Sequence, residues 1–135
     1  MAANEAKHKH LDFIQSAIAR MSSHSFLFKG WSISVASALF AFAVVDTKWG
    51  LVAIALATTI LFWGLDGYYL WLERGFVKLH NQVSRKSEQE IDYSMSIDKT
   101  KGFRTWIRTC VRPHLSGFYG VIVIIEVVGI FLVKE

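Results

Sequence analysis

Cysteine and proline are nearly absent from this chain, which has one of each, Cys110 and Pro113. A lone cysteine forms no internal disulfide and excludes a multi-cysteine metal site. The histidines do not make up the deficit. His8 and His10 are two apart and point to different helix faces, while His24, His80 and His114 have no ligand spacing to one another. No nucleophile-base pair, phosphate loop or zinc motif occurs, so an enzyme is not expected and no metal or cofactor is implied. No nucleic-acid-binding motif is present. The ten-residue alternation of barrel strands is missing too, which leaves helices as the spanning form.

What the chain does have is apolar length. At 135 residues, 53% hydrophobic and 14% aromatic, it is too apolar for an ordinary small globular domain. Three segments explain the excess: 26–45, 50–72 and 115–133. Each has roughly the 17 to 25 residues that cross a hydrocarbon core of about 30 Å. Trp31, Trp49, Trp63, Tyr68, Tyr69 and Trp71 fall toward segment ends, as in an interfacial belt. The expected fold is an all-α membrane protein. Three transmembrane helices follow an N-terminal amphipathic helix (1–25), and a loop region (73–114) separates spans two and three.

Basic residues set the expected orientation. Thirteen Lys or Arg lie before the first span, at its start, or between the second and third, against two elsewhere, Lys48 and Lys134. This bias predicts a cytoplasmic N-terminus, a tight external turn at Asp46-Thr47-Lys48, a cytoplasmic middle region and an external C-terminus. A cleaved signal peptide competes for the first span, but the polar stretch ahead of it is long for an n-region.

Outside the spans, Asn4 is placed to cap a helix whose apolar positions Leu11, Ile14, Ile18 and Met21 share a face. That face suits the membrane surface or, preferably, another subunit. Phe76, Leu79 and Val83 carry the second helix to about Arg85, and a polar turn, 86–90, ends it. Ile91, Tyr93, Met95 and Ile97 then alternate with polar residues. This is the pattern of a half-buried strand pairing between subunits, or of a loop tucked under the helices. Before the third span, Arg104, Arg108 and Arg112 repeat every four residues opposite an apolar face, and Pro113 breaks this helix from the span. They fit an interfacial helix on anionic lipid, or a ring from several subunits that binds a phosphate-containing ligand.

The chemistry that stands out lies inside the apolar segments. Glu126 falls mid-span, where a charge costs about 2.5 to 3.5 kcal/mol on insertion scales. Ser37, Thr58 and Thr59 are expected at the same depth, as hydrogen-bond partners. Asp66 is expected level with Lys29, as an ion pair. Glu126 is read three ways: a neutral carboxyl bonded to a neighbouring helix, an acidic ring lining an oligomeric pore, or a proton relay. Three spans rarely enclose a pore, so a channel requires a homo-oligomer.

The stretches Lys9-His10-Leu11-Asp12-Phe13-Ile14-Gln15, Arg20-Met21 and Ser25-Phe26-Leu27-Phe28-Lys29-Gly30-Trp31 resemble the opening of a family of small three-span bacterial inner-membrane proteins. Asp66-Gly67 and Asp92-Tyr93-Ser94-Met95 are similar to that family as well. The resemblance implies a bacterial inner-membrane location and this architecture, and passes on no site. The leading expectation is a homo-oligomeric, cation-conducting pore with Glu126 in the membrane interior. The alternative is a non-conducting scaffold, regulatory subunit or defence effector acting with a partner protein.

Overall fold

The computed structural model describes residues 2–46, 48–99 and 102–134. Four α-helices form: α1 (Ala2–Asp46), α2 (Trp49–Arg85), α3 (Gly102–Cys110) and α4 (Pro113–Lys134). A single 3-10 turn, Glu88–Glu90, follows α2. Helices α1, α2 and α4 are each long and apolar enough to cross a membrane. Thr47, at the centre of the expected external turn, lies outside the described residues.

The amphipathic helix and the first span are one element. Helix α1 runs unbroken for 45 residues, about 68 Å at 1.5 Å per residue. The composition changes near residue 25, but Ser22, Ser23 and His24 carry neither proline nor glycine to break the backbone. The buried face is also continuous, since His10, Ile14, Ala17, Ser25, Ser32, Ala36 and Ala43 follow one another at helical steps. Asn4 therefore sits inside the first turn rather than at a cap. Helix α2, 37 residues and about 55 Å long, returns antiparallel to α1 and is the central element, touching α1, α3 and α4.

At the open end of this hairpin, Ile14, Val83 and Ile91 form a small core, joined by Leu11, Ile18, Phe76 and Leu79. The apolar face of the N-terminal half thus packs on α2 of its own chain. Lys7 Nζ donates to the carbonyls of Lys86 (2.9 Å) and Ser84 (3.3 Å), placing a cation at the negative end of the α2 dipole. The polar turn expected at 86–90 is a capping box between Ser87 and Glu90. Hydrogen bonds from the Ser87 side chain and then its backbone hold the Glu90 carboxyl below the usual glutamate range.

The alternating segment after it is not a strand, and no strand forms among the described residues. Tyr93 adopts φ 52°, which breaks an extended repeat, and the Asp92 carboxylate accepts from the Ser94 N–H at 3.2 Å, a local bond that competes with pairing. Three of its four apolar side chains lie on the hairpin instead, while Met95 is exposed. Ile91 enters the core, the Tyr93 ring meets His10 edge-on at 5.4 Å, and Ile97 covers Gly75.

Helix α3 folds back along α2. The Trp63 indole donates to the Cys110 carbonyl (2.9 Å) and the Trp106 indole to the Gly64 carbonyl (3.1 Å), so each helix lends the other a tryptophan. Gly67 explains why they come so close: a Cβ there would run into Cys110 Sγ. Gly64 and Gly67, three apart, thus form the seat of α3. Pro113 begins α4, where its missing N–H costs nothing.

Candidate intramembrane polar site

Polarity is inverted along the three long helices. Val45, Phe42, Ile60, Leu61, Ile124, Phe131 and Leu132 face outward, while Ser25, Ser32, Thr59, Asp66 and Glu126 are buried. In water this arrangement would hide costly groups and expose greasy ones. In hydrocarbon it is the favourable choice, because polar groups there find partners only on neighbouring helices.

Six of the buried polar groups fall into two layers, each taking one residue from each of the three long helices. Ser25, Asp66 and Tyr119 make the first. Asp66 is fully buried, and its carboxylate accepts from Lys29 Nζ (2.6 Å), the Tyr119 hydroxyl (3.1 Å) and the Ser25 hydroxyl. Lys29 also donates to Ser25 Oγ at 2.9 Å. The expected Lys29–Asp66 pair is thus present, within a network that satisfies both carboxylate oxygens. Trp63 stacks on Tyr119, with ring centroids 6.0 Å apart and planes within 9°, and closes this layer from the side of α2.

Ser32, Thr59 and Glu126 occupy the second layer, two turns or about 10 Å further along each helix. Thr59 Oγ1 donates to Glu126 Oε1 at 2.9 Å. Glu126 is only 2% exposed, and its Oε2 and the Ser32 Oγ are buried without a partner among the described residues. Register alone brings these atoms to one level, since each helix contributes residues seven apart: 25 and 32, 59 and 66, 119 and 126.

Of the residues expected at this depth, Thr59 reaches Glu126 and two do not. Thr58 donates back to the Ile54 carbonyl at 2.8 Å, and Ser37 is exposed on the outer side of α1. Ser25, Ser32 and Tyr119 were missed by sequence reasoning. The seven-residue spacing of polar groups in all three helices was the signal that pointed to them.

Arg104, Arg108 and Arg112 are all exposed along α3 and the turn after it. Arg108 and Arg112 line an open cavity with α2, and Arg108 also lines a second opening with Arg104, Ile107 and Val111. No group of His, Cys, Asp or Glu suited to a metal ion occurs among the described residues.

The inverted polarity and three long apolar helices fit a multi-pass membrane protein with three candidate transmembrane helices. Comparison with known families, curated proteins and solved structures finds no match to the chain.

Proposed function

We propose that this chain is a non-conducting scaffold or regulatory subunit of the bacterial inner membrane, with its N-terminus cytoplasmic and its C-terminus external. One observation carries this reading: Glu126 and Asp66 are both buried against helices of their own chain. A carboxylate that lines a pore between subunits has to face away from its own bundle. The polar layers instead set the rotation and register of three helices, a use of buried polar groups that favours a single arrangement. The joined ends of α1 and α2 then project from the bilayer as a helical stalk of roughly 35 Å, the length of α1 beyond a hydrocarbon core.

Self-association belongs to the same proposal. Gly30, Ser34 and Ala38 repeat every four residues on the exposed side of α1, joined by Ser37, and nothing lies within 4 Å of a Cβ built on Gly30. Small residues at this spacing let two helices approach closely in a bilayer.

A second reading, a cation path lined by Glu126, draws on the unpartnered Glu126 Oε2 and Ser32 Oγ. Flux through liposomes separates the two. The scaffold reading predicts that wild type and Glu126→Gln, inserted to equal density, both leave potassium and proton gradients intact. Cation flux in wild type that the variant loses would establish the pore.

A further inference from the structure

Helices α2 and α3 enclose a second polar feature, away from the buried layers. An open cavity of about 510 Å³ lies between them, closed at one end by residues 96–98. Its size suits a small ligand. Arg74 and Lys78 line it from α2, one turn apart, Arg108 lines it from α3, and Arg112 from the turn that joins α3 to α4. Asp98 is the one acid in the lining, so the walls carry four cations to one anion.

This convergence is unfavourable by itself. Like charges four residues apart on a helix repel, as Arg74 and Lys78 do on α2, and here two further arginines line the same cavity. Burial, and then the nearby Arg112 charge, lowers the Arg74 guanidinium from its ordinary range, with Glu73 opposing. None of the four cations makes an ion pair within 4 Å among the described residues, where Lys29–Asp66 and Lys48–Asp46 are the pairs formed. Trp71 forms part of the wall, and its indole nitrogen donates to Thr105 Oγ1 at 2.8 Å, which fixes one side of the opening. The seat of α3 on Gly64 and Gly67 holds the two walls at a set distance.

We propose that this cavity binds a phosphate group, with Arg74 and Lys78 on one side and Arg108 and Arg112 on the other. Guanidinium groups grip phosphate through paired N–H donors, and an excess of cations in the lining suits the negative charge of a phosphate monoester or pyrophosphate. The site is complete within one chain, so it needs no ring of subunits, and it stands whether or not the protein conducts ions. The phosphate belongs either to a soluble ligand or to a lipid headgroup.

Two probes decide the source. Inorganic pyrophosphate is titrated calorimetrically into protein held in phosphatidylcholine nanodiscs at physiological ionic strength. Phosphatidic acid is mixed into the same nanodiscs, and its retention on the protein is read by native mass spectrometry. At least one probe is expected to bind wild type. Arg108→Gln with Arg112→Gln is expected to weaken that binding by about tenfold or more, as loss of charge-assisted hydrogen bonds does. Arg85→Gln, which removes one charge at the exposed end of α2 as Lys78→Gln does on the wall, is expected to leave it intact. Lys78→Gln tests the opposite wall and replaces the double variant if that fails to fold. Binding of pyrophosphate assigns a soluble ligand; retention of phosphatidic acid alone assigns a headgroup. Failure of both probes on wild type, or equal weakening by Arg85→Gln, would overturn the site.

Discussion

Asp66→Ala is expected to lower the stability of the bundle by about 3 kcal/mol, because breaking a buried ion pair from one side strands its partner. The estimate sits at the low end of such cases because Lys29 keeps 27% of its side chain exposed and can turn toward water. The loss extends beyond the pair. Ser25 and Tyr119 donate to the same carboxylate, so its removal leaves three donors from two helices without their acceptor. Lys29→Met combined with Asp66→Leu is expected to recover most of the loss, since a well-packed apolar pair often matches a buried ionic one. Unfolding of wild type, Lys29→Met, Asp66→Leu and the double variant in mixed micelles measures the four corners of this cycle, with Asp66→Ala beside them. A double variant as unstable as Asp66→Ala would show that the network's contribution lies elsewhere.

Gly129→Val is expected to destabilise the contact of α4 with α1 by about 1 to 3 kcal/mol, the usual cost of overpacking. The Phe40 ring occupies the space a Cβ on Gly129 would need. Phe40→Ala alone opens a void there, so each single change is harmful, while the two together exchange volume across the contact. The combined variant should therefore be more stable than the sum of the single losses predicts. Simple additivity would mean that Phe40 swings aside into lipid, and that this contact does not position Glu126 one turn away.

Three long apolar helices were legible because hydropathy reports directly on them, and α2 ends at Arg85 where its apolar period stops. Lys29 and Asp66 were paired from depth alone, because two opposite charges at one level in an apolar medium have few other partners. Rotation about the helix axes was harder to read. Ser37 and Ser32 are both small hydroxyls in the same span, yet one faces outward and the other inward, and neighbouring helices decide which. A change in composition near residue 25 suggested two elements where the backbone makes one. The alternation at 91–97 suggested a strand because period-two patterning also arises when a local turn tucks every second side chain against helices.

The central claim is that Glu126 faces Thr59 of its own chain. Thr59→Cys and Glu126→Cys, introduced together in a Cys110→Ser background and treated with mercuric ion in native membranes, test it most directly. Bridging within single chains, with the product migrating as a monomer, is the predicted result. Covalent dimers formed by Glu126→Cys alone, with no bridge inside the chain, would turn this carboxylate toward its neighbours and contradict the account.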